Sequence, residues 1–235
     1  MKKVGIIIFI AAIAVGVVIS NVFSFASYVG SSPISFSFGS KLKGSGNLVT
    51  EQRDLKGFTG IDVSGAALQV EITAQKEYSV VIEADDNLMP LIKTEINGRT
   101  LQISTKKSFR TKNRIKVKIS APNIDSIENS GVTYVSLTNL STDSLKIDSS
   151  GASKVKVEGT AKNLKVDISG ASHLEASGLI TNEANVESSG ASSSKINVKD
   201  RLIADISGAS SLKYKGNPEN VVKHSSGVSS IHQID

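Results

Sequence analysis

Carboxylates recur along the second half of the chain at a spacing that sets what they could do. Glu128, Asp148, Asp167, Glu187 and Asp205 each stand three residues before a glycine, and His224 takes the same place before Gly227. If the segments that carry them stack, the result is a ladder of carboxylates, one per repeat. Ca²⁺ takes several hard oxygen ligands, so Asp148, Asp167, Glu187 and Asp205 form a candidate calcium column. Lys146 and Lys165 offer the competing account. They lie two residues before Asp148 and Asp167, on the same strand face, and with solvent they suffice to offset the ladder. Neutralisation is the preferred reading, because the calcium-binding nonapeptide GGxGxDxUx is absent. No metal and no cofactor is expected.

Nucleophilic catalysis finds less support. Serine is abundant, but a serine nucleophile needs a base oriented by a third group. His173, His224 and His232 sit at scattered repeat positions and read as solvent-facing side chains that neither relay a proton nor converge on a metal. The chain has no cysteine, which excludes disulfides, thiolate metal sites, a cysteine nucleophile and a lipid-anchoring cysteine. Polysaccharide lyases and hydrolases gather several Asp with Lys or Arg on one face of a longer coil. Arginine is nearly absent from these repeats, so a polysaccharide-acting enzyme is kept only as a lesser alternative.

The elements that must position these residues are visible as a repeat. Ser-Gly-Ala or Ser-Gly-Val recurs with its glycine at Gly131, Gly151, Gly170, Gly190, Gly208 and Gly227, at separations of 20, 19, 20, 18 and 19 residues. Around each glycine, apolar and charged residues alternate with period 2, as in Leu145-Lys146-Ile147-Asp148 and Lys154-Val155-Lys156-Val157. This is the pattern of strands with one buried face. Such strands are too short to form a sheet alone, so equivalent strands of successive repeats must pair. Parallel stacking of coils of ~18–20 residues is a solenoid, a parallel β-helix. A leucine-rich repeat fails for want of its Leu and Asn positions. The six glycines are assigned to a structural corner that needs an unusual backbone angle, and Ser150, Ser169, Ser189, Ser207 and Ser226 to a stacked hydroxyl column beside it. Gly159, Gly178 and Gly216 mark the next bend.

The first half predicts strands without the short period. Asn97-Gly98 between two such runs signals a hairpin, and Pro90 limits a helical turn over 86–91. Ser64-Gly65-Ala66 repeats the corner motif. Residues 48–235 thus read as one domain, with irregular longer coils over 48–123 and regular repeats over 124–235. Residues 31–47, rich in Ser and Gly, read as a linker.

Residues 4–26 are apolar with brief polar interruptions, enough to cross a ~30 Å hydrocarbon core as a helix. Lys2 and Lys3 before them favour a cytoplasmic N-terminus and export of everything after residue 30. Two readings of residues 1–30 stand: a single-pass anchor with the C-terminal domain outside the cytoplasm, or a signal peptide cleaved near Ala26 that leaves a secreted or periplasmic protein. The net charge of +5 owes four charges to Lys2, Lys3, Lys41 and Lys43. Residues 48–235 carry only +1. With few aromatics to stack bases, nucleic acid is excluded as a partner. A basic run, Lys106, Lys107, Arg110, Lys112, Arg114, Lys116 and Lys118, reads as a solvated loop leading into an edge strand, with anionic wall polymers or lipid headgroups as its functional alternative.

Gly44-Ser45-Gly46-Asn47, then Arg53, Phe58, Ile61, Val63 and Gly65, followed by Ala84-Asp85-Asp86-Asn87-Leu88, Asn97-Gly98 and Leu101-Gln102-Ile103, resemble the opening of the "putative auto-transporter adhesin, head GIN domain" family. The SGAS repeats are similar to its second half. The resemblance spans residues 44 to 235. It implies a bacterial exported or membrane-attached protein with a right-handed, single-stranded parallel β-helix and an adhesive role, and it carries over no catalytic residue. The expected function is therefore non-enzymatic binding at the cell surface, of a cell-wall polymer, a glycan or a surface protein. A structural role through self-assembly at the β-helix end is the alternative.

Overall fold

Buried and exposed side chains alternate along nearly every segment of the domain, and this alternation builds strands. The computed structural model describes residues 42–235, and they form an all-β structure. The first half holds β1 (Leu42–Lys43), β2 (Leu48–Arg53), β3 (Gly60–Ala74), β4 (Ser79–Asp85), β5 (Ile92–Asn97), β6 (Thr100–Thr105), β7 (Phe109–Arg110) and β8 (Ile115–Ala121). The second holds β9 (Ser126–Ser149), β10 (Lys154–Ile168), β11 (His173–Ser188), β12 (Ser193–Ile206), β13 (Ser211–Lys215), β14 (Asn220–Ser225) and β15 (Ser230–Gln233). Residues 4–26, read above as anchor or signal peptide, lie outside the described residues. Within the described residues no helix is long and apolar enough to cross a membrane.

The long strands pair in parallel, each with the equivalent stretch of the next repeat. β3 lies beside β9, β9 beside β10, β10 beside β11 and β11 beside β12, while β12 is continued by β13 and β14, and β13 by β15. Register keeps equivalent residues together: Ile147 faces Val166, which faces Val186, which faces Ala204. These columns point into one continuous apolar core that also takes in Val135, Val155, Leu174 and Leu212. Full burial of a Val, Leu or Ile side chain contributes roughly 1.5–3 kcal/mol, so each repeat gains most of its stability from the layers above and below.

Antiparallel pairs set the first half apart. β5 and β6 form a hairpin through Asn97 and Thr100, with Gly98 at φ +60. β2 pairs antiparallel with β4, and β4 with β8. β3 nonetheless pairs in parallel with β6, β8 and β9, Gly65 opposite Gly131, so the repeat register extends back to residue 60. Asp86-Asn87 form a turn, and only Met89–Leu91 coil, as a 3-10 turn around Pro90.

Residues 42–47, assigned above to the linker, are built into the domain. Leu42 and Lys43 pair with Phe109 and Arg110, and the Gly44 N–H donates to the Arg110 carbonyl at 2.8 Å. Small, polar composition suggested flexibility there. The partners it meets, Phe109 and Arg110, lie far along the sequence, where composition gives no hint of them.

Candidate binding surfaces

The Ser-Gly-Ala corners fix the layers at a common height. Gly131, Gly151, Gly170, Gly190, Gly208 and Gly227 all have φ between +74 and +93, which L residues with a Cβ adopt only at a cost. The amide of the following residue donates to the previous corner glycine: Ala152 to Gly131, Ala171 to Gly151, Ala191 to Gly170, Ala209 to Gly190 and Val228 to Gly208, all at 2.7–2.9 Å. The hydroxyl ladder runs through the serine after the alanine, not through the serine before the glycine. Ser153 donates to Ser172 at 3.1 Å and Ser192 shares a 3.1 Å bond with Ser210, and all four are buried. Position in the motif alone could not tell inward from outward serines. The burial alternation of the strand that follows could.

The carboxylate column exists as a column. Asp62 faces Glu128, and Asp148 faces Asp167, which faces Glu187, then Asp205, then His224. The side chains point to solvent or stand half-buried. Lys146 lies 3.8 Å from Glu128 and 3.9 Å from Asp148, a loose bridging position. Lys165 makes no ion pair among the described residues. Burial, then the Glu128 charge, raises the Asp62 carboxyl above its ordinary value, and a hydrogen bond from Gln102 works against them. Among the described residues, no three Asp, Glu or His side chains converge on a point that could hold a metal ion. His173, His224 and His232 stand apart. His173 is half-buried, and desolvation, then Lys154 and Lys195, hold its imidazole below the usual value and so favour the neutral ring.

A second surface was not singled out from sequence. A groove of about 660 Å³ runs along the bend between the two halves of successive repeats, lined by Gln75, Asp143, Ser144, Thr160, Lys162 and Asn182 among others. Ser141 faces Thr160, which faces Ile180. Across its wall Lys162 meets Asp143 at 2.7 Å, and Asn163 Nδ2 donates to the Asp143 carbonyl at 3.4 Å. Equivalent positions of successive coils carry different residue types here, as Ser141, Thr160 and Ile180 do, and so no repeat in the sequence betrays the groove. The available signal was a pair of exposed polar residues in each coil, such as Lys162-Asn163 and Asn182-Glu183, where alternation breaks.

A third feature ties the N-terminal segment down. Asp85, 2% exposed, accepts hydrogen bonds from Thr111 Oγ1 at 2.7 Å and Asn113 Nδ2 at 2.9 Å. A Cβ on Gly44 would stand 1.9 Å from its carboxylate, so only glycine lets the strand pass. Beside it the Asp86 carboxylate accepts from Ser45 Oγ, Asn47 Nδ2 and the Asn87 N–H at 2.5, 3.0 and 2.6 Å. Asn87 returns the contact, accepting from the Ser45 N–H and donating to the Lys43 carbonyl. Two of the motifs that carried the family resemblance, Gly44–Asn47 and Ala84–Leu88, are thus the two halves of one clasp.

The family model for "putative auto-transporter adhesin, head GIN domain" matches residues 57–218. The chain belongs to that family. Of solved structures, a "putative adhesin" from Bacteroides fragilis NCTC 9343 is 28% identical, with a TM-score of 0.69 over 82% of this chain and 100% of the other. A "putative adhesin" from Parabacteroides distasonis ATCC 8503 is 17% identical, with a TM-score of 0.50 over 83% of this chain and 100% of that one, a likeness of fold alone. A "putative lipid binding protein" from the same organism is 19% identical over 83% of this chain and 100% of that chain, with a TM-score of 0.46. No curated protein matches the chain at a significant level.

Proposed function

We propose that this chain is a non-enzymatic, exported binding domain of the bacterial cell surface, carried on a membrane segment at residues 4–26, and that its groove holds an extended polar polymer such as a cell-wall glycan. The reading of the domain as a right-handed, single-stranded parallel β-helix rests on the parallel register of β9 to β15 and on the family resemblance. The observation that carries the binding role is the groove, which crosses successive repeats and sets amides, hydroxyls and the Asp143–Lys162 pair beside the apolar Ala161 and Ile180. Rungs ~4.8 Å apart offer a linear polymer polar groups at a regular interval. Family kinship with adhesins supports the same reading. The test is binding of the protein to a glycan array and to isolated cell-wall polymer, with D143A/K162A as the variant. Binding lost in the variant at unchanged melting temperature supports the groove; binding indifferent to it removes the groove from the account.

A structural role has one observation in its favour. Val221, Val222 and Val228 are exposed, the last by 88%, on strands and a corner that pair on one side only among the described residues. A second copy stacked there would cover them. Concentration-dependent association in sedimentation, abolished by V228K, is what this reading requires.

A further inference from the structure

At the opposite end of the glycine column, cations gather without partners. β1 and β7 set Lys43 opposite Arg110. These two and Lys112 line a pocket of about 320 Å³, and Lys106, Lys107 and Arg110 line an adjoining one of about 560 Å³. All five are exposed, and none forms an ion pair among the described residues. The nearby carboxylates are engaged elsewhere: Asp85 with Thr111 and Asn113, Asp86 with Ser45, Asn47 and Asn87. Leu42, 43% exposed, and the half-buried Phe109 face each other beside the cations. Apolar tips among unpaired cations suit the headgroup region of a bilayer.

The chain leads here from its apolar segment. Residues 27–41 separate residue 26 from β1, and fifteen residues span at most ~50 Å fully extended. The basic end is thus the part of the domain nearest to the point of attachment along the chain. We infer that the Lys43, Lys106, Lys107, Arg110 and Lys112 surface docks the domain on the anionic phospholipid headgroups of the membrane that residues 4–26 enter. Docking of this kind orients the domain, with its glycine column standing away from the bilayer and its groove presented along the side. It rests on the anchor reading of residues 4–26 and adds to it a second, electrostatic attachment.

Because the chain has no cysteine, S108C places a single thiol in the basic surface, and N217C places one on a distant loop. The whole chain is reconstituted in vesicles of phosphatidylcholine alone or mixed with phosphatidylglycerol, and labelling by a membrane-impermeant maleimide is timed. Each basic side chain near an anionic surface improves partitioning about fivefold, so labelling of the S108C thiol slows several-fold on the anionic vesicles while that of N217C is unchanged. K106E/K107E, or salt near 1 M where the Debye length is about 3 Å, restores the rate. Equal S108C rates on the two vesicles overturn the inference. So does slowing by soluble poly(glycerol phosphate) without slowing on vesicles, which assigns the surface to a soluble phosphate polymer. Flotation with neutral vesicles reports the anchor separately. If it fails, the anchor reading falls, and flotation with anionic vesicles alone still decides docking: present, it supports the basic surface; absent, it overturns it.

Discussion

Gly170 bears two costs that a side chain would meet together. Its φ of +74 is a conformation L residues rarely adopt, and a Cβ there would stand 2.6 Å from the Gly151 carbonyl oxygen, backbone that cannot turn away. Gly98 has the first cost alone, with φ +60 and no atom of the described residues within 4 Å of an added Cβ. G98A should therefore lower stability by about 1 kcal/mol through the left-handed backbone, and G170A by clearly more, about 2–3 kcal/mol, as the layers part to admit the methyl. Equal losses in denaturant titrations would show that the close approach carries no weight. Ser194 offers the reverse sign. It is 1% exposed, its hydroxyl has no partner among the described residues, and it lies in register between Leu174 and Leu212. A buried hydroxyl without a hydrogen bond costs about 1–3 kcal/mol, so S194V is expected to raise the melting temperature. A lowered midpoint would mean that the hydroxyl is satisfied in solution.

Elements of the first half are held by the clasp between residues 44–47 and 84–87, and its strength should follow pH. The Ser45 hydroxyl, then the Asn47 amide and the Asn87 N–H, hold the Asp86 carboxyl below its ordinary 3.8. A carboxyl depressed in the folded state contributes stability that is complete above the unfolded value and disappears as pH falls through the folded one. The melting-temperature advantage of the native chain over D86N is thus expected at pH 6, shrinking as pH drops below 3.8 and absent once Asp86 is protonated in both states. An advantage that grows on acidification would reverse the assignment. This clasp also marks the limit of what the sequence could convey. Parallel register from 124 onward was legible, because Gly, apolar and acidic positions return every 18–20 residues and a stack places like on like. The Asn97-Gly98 hairpin was legible from turn chemistry. The antiparallel β2–β4–β8 arrangement was not, since alternation in Ser79–Asp85 and Ile115–Ala121 fixes a face but no partner. Early coils also turn at Gln75 and Asn139, with φ 62 and 59, where no glycine signals the bend.

For the whole molecule, layered pairing means that damage depends on where it falls. Each inner repeat contacts two neighbours, whereas β14 and β15 each pair with one strand among the described residues. Stability of such a stack is close to a sum over adjacent layers, so G227A, with the same φ and a similar 2.7 Å approach, should cost less than G170A. The same stack decides the acidic column. Its carboxylates stand one per layer, facing solvent, with Lys146 between Glu128 and Asp148, and no three of them meet. Carboxylates in a straight line present one or two oxygens to any point between layers, fewer than the six to eight that Ca²⁺ takes from protein and water together. Millimolar Ca²⁺ should then leave the melting temperature almost unchanged. A genuine site at ~100 times its dissociation constant would add about 2.7 kcal/mol, a shift of several degrees, and D167N would abolish it. That pair of results would make the column a calcium-dependent recognition surface and would move the candidate binding face from the Asp143–Lys162 groove to Asp148, Asp167, Glu187 and Asp205.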